Sequence, residues 1–407
     1  MMLRTHKIAL CPNKSQEQLL RQHVGYARFA YNWALARHIE QRQQGSWENG
    51  YVLRPAFNAV KPEIAPWSAE LSQNAAKNAI LDLHKALQRW GAYRRAVKAN
   101  NKPRRVGHPK FRAKHGRCQS YQADNGPGTV TVDRKLVVLP KIGAVKMREV
   151  LRFDGTIRKV VVKFDGRRWF ACVVVESEPA PHIEPEVEAC GIDVGITTLA
   201  SVAYSNGERE TIANPKPLAG ALSDLRRIDK AIARSKNVHG INKTSNRRLR
   251  LYAKRRRLHA RIRDIRADHR HKTTTAITKR CGQLSVETLN VAGMMRNKRV
   301  ARSLADASMS GWLTTLEHKA DFHGRRFNKA DRWLPSSKTC SECGEVKAAL
   351  SMSERQYRCD ECGHTDDRDF NAAQNLLAEV QPKRGGNISP DSNSSPAVPT
   401  KRKLQTA

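Results

Sequence analysis

The chain lacks the features that mark membrane and secreted proteins. It has no uninterrupted apolar run of the roughly 18 residues that a membrane-spanning helix needs. The residues over 1–7 carry basic charges with no long apolar segment behind them, so they do not predict a signal peptide. Of the nine cysteines, five are scattered singly, which is not a disulfide framework. We therefore expect a protein of the reducing cytoplasm with no membrane partner.

Acidic residues are scarce relative to basic ones. The sequence has 38 Asp and Glu against 74 Lys and Arg, a formal net charge of +36. Self-repulsion at this level opposes compactness, and a polyanionic partner relieves it. Nucleic acid is the expected partner because phosphate contacts release counterions. A merely soluble basic protein, such as a ribosomal component, is the plainer alternative.

The amino-terminal part shows the apolar spacing of helices. After a short strand over residues 5–12, a helix is expected to start at Ser15, with Gln18 completing a capping box. Its apolar positions are Leu20, Val24, Ala27 and Tyr31. More helix is predicted over about 68–98, where Ala76, Ile80, Leu83, Leu87 and Trp90 line one side. Residues 15–100 therefore predict a small helical unit.

Short runs rich in β-forming residues follow between about 104 and 180. The predicted strands are Thr129–Val132, Lys135–Leu139, Val160–Phe164 and Trp169–Val175. The Asp165-Gly166 pair between the last two is typical of a hairpin turn. Such a series predicts a small antiparallel barrel, which the amino-terminal strand is in a position to close.

Four cysteines form the most specific pattern in the chain. Cys340, Cys343, Cys359 and Cys362 are spaced C-x2-C-x15-C-x2-C. Two such turns present four thiolates to one tetrahedral Zn²⁺, and a full set of four protein ligands leaves no open position for catalysis. We expect one structural zinc ion and not a redox or catalytic site.

Three carboxylates are candidates for a second metal site. Asp193 lies on a strand pattern between Gly191 and Gly195, which share its face and would clear space for a metal and a phosphodiester. Glu287 lies inside the apolar run 284–289, where a lone charge is costly unless it is paired. A strand-end cap for Asp193 and a salt bridge for Glu287 are the ordinary explanations.

The third carboxylate, Asp369, opens a predicted helix. Helical spacing places Ala372, Ala373 and Leu376 on the packed side of that helix, together with the aspartate. A plain amino-terminal cap is the ordinary explanation, and Asp366 and Asp367 compete for the ligand role or act as the cap. Hard oxygen ligands suit Mg²⁺ or Mn²⁺, and two such ions about 4 Å apart can hydrolyse a phosphodiester. A polycationic protein with that site is expected to be a nuclease.

These motifs, taken in order, resemble the TnpB family of transposon-encoded, RNA-guided endonucleases related to type V CRISPR effectors. The resemblance covers roughly residues 5–380. It is carried by 25–32, 107–112, Gly191-Ile192-Asp193-Val194-Gly195, Glu287 with 294–299, the cysteine pairs and 367–375.

The resemblance implies a multidomain α+β fold. It predicts a RuvC-like, RNase H-type nuclease domain with an inserted zinc knuckle, preceded by a wedge-type β-barrel that a helical recognition unit interrupts. The expected ranges are 1–14 for the first barrel strand, 15–103 for the recognition unit, 104–186 for the barrel, 187–337 and 365–380 for the nuclease domain, 338–364 for the knuckle, and 381–407 for a disordered tail.

The resemblance also implies partners and roles. Asp193, Glu287 and Asp369 fall on the family's catalytic, metal-binding carboxylates. A guide RNA from the transposon end would pair with double-stranded target DNA, while the protein reads a short adjacent motif, for which Gln73, Asn74 and Lys77 are candidates. A separate transposase from the same element and a nucleoid-associated location in a bacterial or archaeal cytoplasm follow from the same likeness.

The basic segment 224–280 is a further candidate for nucleic-acid contact. It has twenty Lys and Arg against four Asp, including the run Arg255-Arg256-Arg257, and only a narrow apolar stripe at Leu258, Ile262 and Ile265. Two alternatives to a nuclease stay open: an RNA-guided DNA-binding repressor without cleavage, and a transposase or accessory protein acting on its own element. The chain shows no obvious nucleophilic Tyr or Ser constellation for a transposase.

Overall fold

Two large sheets organise the chain in the computed structural model, and each belongs to a separate unit; a small two-stranded sheet lies in the second unit. Unit 1 comprises residues 1–180 and 239–257, and unit 2 comprises residues 181–238 and 258–407. The structure describes residues 2–46, 49–101, 103–114, 119–126, 129–178, 183–239, 245–351 and 354–381. The predicted disordered tail lies outside these residues, apart from Gln381. Over the described ranges, no helix is both long enough and apolar enough to cross a membrane.

Unit 1 combines helices with an antiparallel sheet. Its elements are β1 (Met2–Cys11), α1 (Lys14–Gln43), α2 (Gly50–Ile64), a 3-10 helix (Pro66–Glu70), α3 (Gln73–Lys98), β2 (Ser120–Asp124), β3 (Thr131–Asp133), β4 (Leu136–Leu139), β5 (Gly143–Met147), β6 (Thr156–Phe164) and β7 (Trp169–Ser177). The strand order is β2-β6-β7-β1-β5-β4-β3. Strand β1 pairs with β7 on one side and β5 on the other, so it joins the two halves of the sheet.

Helix α1 has a different cap from the predicted one. Asn13 is the cap: its side chain accepts a hydrogen bond from the Gln16 amide at 2.8 Å, and the Gln16 side chain accepts one from the Asn13 amide at 3.1 Å. The Ser15–Gln18 capping box is therefore wrong. Asn caps as well as Ser does, and it comes two residues earlier, directly after Pro12. The four predicted apolar positions of α1 are all buried.

The second predicted helix is divided in two. The 3-10 helix ends at Glu70, and α3 begins at Gln73. Its predicted inward residues Ala76, Ile80, Leu83 and Leu87 are buried, whereas Trp90 is only partly buried. Buried side chains of α1, α3 and the sheet form one continuous core.

The predicted hairpin is present between β6 and β7. The Asp165 carboxylate accepts hydrogen bonds from the amides of Arg167 and Arg168, at 2.9 and 2.8 Å. Gly166 has a φ of +91°, a conformation that a residue with a side chain rarely adopts. Strands β2 and β5 were not predicted, because each is short and has only two inward apolar residues.

Unit 2 is built on a mixed sheet. Its elements are β8 (Val187–Val194), β9 (Thr198–Tyr204), β10 (Arg209–Ala213), α4 (Pro217–His239), α5 (Asn246–Arg280), β11 (Cys281–Val286), α6 (Val291–Met294), α7 (Ala301–Ala307), α8 (Met309–Phe322), β12 (Arg326–Lys329), β13 (Gln356–Arg358), β14 (Thr365–Asp367) and α9 (Arg368–Ala378); the last residue of α4 and the first part of α5 fall in unit 1. The strand order is β10-β9-β8-β11-β12. The pairs β10·β9 and β9·β8 are antiparallel, whereas β8·β11 and β11·β12 are parallel.

Both faces of this sheet are covered. On one face, Cys190, Ile192 and Val194 of β8 join a core with side chains from α7 and α8. On the other face, α9 packs its small side chains against β8 and β9, through Ala373 and Leu377 against Ala189 and Ala203. Asp193 alternates with the first set, so it lies on the face that carries α9.

Candidate functional site

The four predicted cysteines form a compact sulfur cluster. Their ligand atoms all lie within 4.8 Å of one another, with Sγ–Sγ distances of 3.7 Å for Cys340–Cys362 and 3.5 Å for Cys343–Cys359. A tetrahedral zinc ion with bonds of about 2.3 Å separates its sulfur ligands by roughly 3.8 Å. The donor set and its spacing therefore fit one Zn²⁺.

Each cysteine pair sits on the same kind of turn. Gly344 and Gly363 directly follow the second cysteine of each pair, and both have positive φ angles, +80° and +72°. The chain then returns, so that the amides of Cys340 and Cys359 donate to the carbonyls of Glu345 and His364. Hydrogen bonds from the backbone of Cys362 and Glu361 lower the pKa of the Cys359 thiol to about 7, whereas burial and the neighbouring thiols raise the pKa of Cys343 and Cys362. Cys359 is therefore the thiol of the cluster that loses its proton first.

Gly191 does not have the role that the sequence pattern predicts. A Cβ placed on it would lie 2.0 Å from the carbonyl oxygen of Ala373 and 2.3 Å from the amide of Leu377. The space beside it is therefore filled by the backbone of α9, and not left clear for a metal or a phosphodiester. A Cβ on Gly195 would likewise meet the Thr198 carbonyl oxygen, at 2.9 Å. The absent side chain of Gly191 brings the helix that carries Asp369 onto the strand that carries Asp193.

Glu287 follows a strand and does not lie inside one. Strand β11 ends at Val286, and its parallel register pairs Val286 with Ile192 of β8. Glu287 and Asp193 are the next residues of the two neighbouring strands, so they share one edge of the sheet. Burial raises the pKa of the Glu287 carboxyl. Glu287 comes directly after the last residue of the strand, beside the face that α9 covers. This position explains how its carboxylate is accommodated although apolar residues precede it.

The three aspartates at the start of α9 have separate roles. Asp367 is the cap, since its carboxylate accepts hydrogen bonds from the amides of Asp369 and Phe370 at 2.9 and 3.2 Å. Asp366 forms an ion pair with Arg209 at 2.7 Å. Asp369 lies in the first turn of the helix and is half-buried. The predicted inward residues Ala372, Ala373 and Leu376 are all buried, which leaves Asp369 as the candidate ligand.

The electrostatics of Asp193 link the three carboxylates. Its pKa is raised to about 7, first by burial and then by the negative charges of Glu287 and Asp369, while Arg368 opposes the shift. The three groups are therefore close enough to interact. Oxygen donors of this kind, with unbalanced negative charge, fit Mg²⁺ or Mn²⁺.

Two asparagines that the sequence reading missed connect the cysteine cluster to α9. Asn371 is fully buried, accepts a hydrogen bond from the Ser341 amide at 3.0 Å and donates to the Thr339 carbonyl at 2.7 Å. One turn later, Asn375 donates to the carbonyls of Ser336 and Thr339, both at 2.7 Å. The available signal was two asparagines spaced four residues apart, the first of them on the same side of the helix as apolar residues that pack on the sheet. They fix the segment before and within the first cysteine pair to the helix that carries Asp369.

The residues predicted to contact nucleic acid lie in two places in unit 1. Gln73, Asn74 and Lys77 are in the first turns of α3, and Lys77 forms an ion pair with Asp124 at 2.8 Å. Arg255, Arg256 and Arg257 are exposed on α5. In the adjoining apolar stripe, in unit 2, Ile262 is buried, Leu258 is partly buried and Ile265 is 38% exposed.

Three family profiles match the chain. Residues 172–298 match a profile described as "Probable transposase", and residues 312–376 match one described as "Cas12f1-like, TNB domain". Residues 1–46 match a profile described as "Helix-turn-helix domain". In the structure, that last range forms strand β1 and the single long helix α1.

Relatives with similar sequences extend over nearly the whole chain. The "Putative RNA-guided DNA endonuclease Rv2885c" of Mycobacterium tuberculosis is 32% identical, over 92% of this chain and 86% of the relative. The "Putative RNA-guided DNA endonuclease" of Streptomyces pristinaespiralis is 30% identical, over 92% of this chain and 89% of the relative. Among solved structures, the Cas12f1-sgRNA-target DNA complex aligns with a TM-score of 0.32 and 15% identity, over 93% of this chain and 99% of the other. A score of that size supports no functional argument.

Proposed function

The chain belongs to the TnpB family, and from this membership we propose that it is an RNA-guided DNA endonuclease that cleaves guide-complementary DNA beside a short adjacent motif. Asp193, Glu287 and Asp369 are its catalytic residues. The observation that carries this assignment is the shared edge of the sheet: adjacent ends of β8 and β11 carry two of the carboxylates, and α9, held against Gly191, brings the third.

The topology of unit 2 supports a RuvC-like, RNase H-type domain. Three antiparallel strands are followed by two parallel ones, in the order third, second, first, fourth, fifth, with a helix across the first strand. In this reading the nuclease domain spans 187–337 and 365–380, and the knuckle spans 338–364. The sheet of unit 1 is the wedge barrel over 1–14 and 104–186, with 15–103 as the recognition unit.

The three carboxylates would hold two Mg²⁺ or Mn²⁺ ions. When bound, such ions activate water and stabilise the leaving oxygen of a phosphodiester. The protein residues supply the geometry. Asp193 lies on the strand face that carries α9, Asp369 lies in the first turn of that helix, and Glu287 would complete the oxygen set from the end of the next strand. One Zn²⁺ on Cys340, Cys343, Cys359 and Cys362 is structural, since four protein ligands fill its coordination.

The partners follow from the same proposal. A guide RNA from the transposon end would select the sequence by pairing, and the protein would bind double-stranded target DNA through its excess of positive charge. Gln73, Asn74 and Lys77 are proposed for the adjacent motif, and Arg255, Arg256 and Arg257 for the nucleic-acid backbone. A separate transposase of the same element and a cytoplasmic, nucleoid-associated location complete the proposal.

Substitution of Asp193 separates the nuclease from a guide-dependent repressor. We expect Asp193→Ala to abolish magnesium-dependent cutting of a guide-matched plasmid while guide RNA still binds, because the change removes a metal ligand and no basic residue. The control Asp154→Ala, at an exposed position in unit 1, should cut like the unchanged protein. Cutting by Asp193→Ala at the unchanged rate would refute the site. A repressor would leave the plasmid intact with either protein.

A transposase acting on its own element predicts a different result. Such an enzyme would join strands of the element without added guide RNA. Strand transfer measured without guide therefore distinguishes this alternative, and we expect none.

A further inference from the structure

A basic cavity in unit 1 lies outside the carboxylate site and the zinc cluster. Its volume is about 1050 Å³, and it opens between α1, α3 and the segment that follows Pro109. Its wall includes Phe111, Lys85, Arg89, Lys110, Arg112 and Asp82. Four cations against one carboxylate give it the charge of a phosphate-binding surface.

The segment that carries Phe111 is fixed at a defined position. Asn32 of α1 donates to the Arg112 carbonyl at 3.0 Å and accepts from the Arg112 amide at 2.8 Å, so its amide group acts like a neighbouring strand. The Arg112 guanidinium lies 3.7 Å from the centroid of the Tyr31 ring and 3.5 Å from the Asp82 carboxylate. These contacts hold the backbone directly after Phe111.

Phe111 itself is left accessible. Phe111 is 56% exposed, although it lies in the wall of a cavity and between two basic residues. A single exposed apolar side chain is ordinary on a protein surface. Here the ring is held by an anchored backbone and surrounded by Lys85, Arg89 and Lys110, which are exposed as well. An aromatic face among cations is the arrangement that binds an unpaired base and its flanking phosphates.

We propose that this cavity binds an unpaired segment of the guide RNA, with one base stacked on Phe111 and the adjoining phosphates on Lys85, Arg89 and Lys110. RNA is favoured over DNA because Asp82 offers an acceptor that a 2′-hydroxyl can use and a deoxyribose cannot. The identity of the RNA as a guide rests on the proposed function. The stacking site rests on the cavity alone.

Binding of oligouridylate to the full-length protein tests the stacking site. Fluorescence anisotropy with a labelled twelve-nucleotide oligouridylate should show about tenfold weaker binding for Phe111→Ala, since base stacking on an aromatic ring contributes about 1–3 kcal/mol. Phe111→Tyr keeps the aromatic face and should bind like the unchanged protein. Phe111→Leu keeps apolar bulk without that face and should behave like the alanine variant. Equal affinity for all four proteins would overturn the proposal.

Two further experiments test the preference for RNA over DNA and the role of the cations. The matched oligodeoxythymidylate should bind more weakly, and Asp82→Ala should reduce the difference between the two probes; tighter binding of the deoxy probe would overturn the assignment to RNA. Lys85→Ala should lower the salt dependence of binding, whereas Lys135→Ala, exposed in the β3–β4 turn, should leave it unchanged. An unchanged salt dependence for Lys85→Ala would refute the proposed phosphate contact of Lys85.

Cleavage assays distinguish this inference from the proposed function. Excess guide RNA should restore cutting by Phe111→Ala, because only affinity is reduced, but should not restore cutting by Asp193→Ala. If the unchanged protein cuts no DNA, the proposed function fails while the oligouridylate result still decides the stacking site. If Phe111→Ala cuts normally at limiting guide, the cavity does not hold the guide.

Discussion

Gly191 shows how one missing side chain can position a carboxylate on another element. Its Cα faces the backbone of α9, and backbone atoms cannot turn aside as a flexible side chain can. Asp369 lies one turn before Ala373, the residue whose carbonyl oxygen is nearest to Gly191. The separation between Asp193 and Asp369 is therefore set by the close packing of strand and helix two residues along from Asp193.

Gly191→Ala should separate the two aspartates. The added Cβ would overlap the Ala373 carbonyl oxygen, so we expect a loss of about 3 kcal/mol in unfolding free energy, and little cleavage. Urea unfolding and plasmid cutting measure the two effects. Gly220→Ala is the control: nothing lies within 4 Å of a Cβ there, in helix α4, and this change should stabilise by about 0.5–1 kcal/mol. A stable, active Gly191→Ala protein would contradict this account.

His23 is a buried histidine whose two ring nitrogens have fixed partners. Nδ1 lies 2.8 Å from the Leu19 carbonyl, and Nε2 accepts a hydrogen bond from the Ser72 amide at 3.1 Å. Protonation of Nε2 would break the second bond, at the cap of α3. Burial lowers the pKa of His23 below the ordinary 6.5, against the bond to Leu19.

Unit 1 should therefore lose stability in mild acid. Because the folded pKa of His23 is lowered, the unfolded chain takes up the proton first as the pH falls through about 6.5, and the unfolding free energy decreases by up to about 1.4 kcal/mol per pH unit. His23→Phe should be less stable at neutral pH but show a flatter dependence between pH 7.5 and 5.5. Urea unfolding at both pH values measures the slope. A slope for His23→Phe equal to that of the unchanged protein would contradict this assignment.

Predictions from the sequence are most accurate where the spacing of residues along the chain is enough to determine the structure. The cysteine quartet was predicted from spacing alone, and Asp367 was one of two candidates for the cap. It was wrong where a neighbour distant in sequence decides the outcome. Gly191 was interpreted as space for a ligand because nothing local indicates that α9 packs on it. Ser15 was preferred as a cap because a capping box was visible there, although Asn13 and Gln16 form one too.

Helix α9 links two sites with different chemistry. Its first turn carries Asp369, its middle carries the small residues that pack on the sheet, and its asparagines hold the backbone before and within the first cysteine pair of the knuckle. Asn371 is fully buried, and both the nitrogen and the oxygen of its side-chain amide form hydrogen bonds. Order in the knuckle and the placement of Asp369 are therefore connected through hydrogen bonds within unit 2.

Asn371→Ala should weaken this link. The change leaves the Ser341 amide and the Thr339 carbonyl without that partner, and an unsatisfied buried group costs about 1–3 kcal/mol. We expect lower thermal stability and about tenfold slower cutting, which corresponds to about 1.4 kcal/mol, with guide RNA affinity unchanged. Asn58→Ala, at an exposed position on α2, should change neither. Equal cutting by both variants would show that the knuckle does not help to place Asp369.

Because the whole chain carries a large positive net charge, its affinity for nucleic acid should fall as the salt concentration rises. Replacing Arg255, Arg256 and Arg257 together by Gln removes three exposed cations from α5. Each lost phosphate contact lowers the slope of log K against log salt by about 0.7–0.9. We expect the triple variant to reduce the slope for guide RNA by about two, and the control Arg134, Lys135 and Lys141 to Gln, at exposed turns of the unit 1 sheet, to leave it unchanged.

The order of elements was easier to predict than their pairing. Helical and strand-rich segments and the hairpin at Asp165 follow from periodicity and turn residues. The central place of β1 in its sheet does not, because its partners β5 and β7 are more than 130 residues away. The same holds for the neighbouring ends of β8 and β11, which only the register brings together.

The path of the chain through unit 2 has a consequence for the timing of activity during synthesis. Asp193 and Asp369 are 176 residues apart (369 − 193). At about 5–20 residues per second, a ribosome takes roughly 9–35 s to add the second after the first. From the completion of α5 at Arg280 until Asp369 is added, the nascent chain holds its basic helices but not its last carboxylate, so we expect it to bind nucleic acid before it can cut any. The path of the chain therefore predicts that cutting begins only after the knuckle and α9 have emerged.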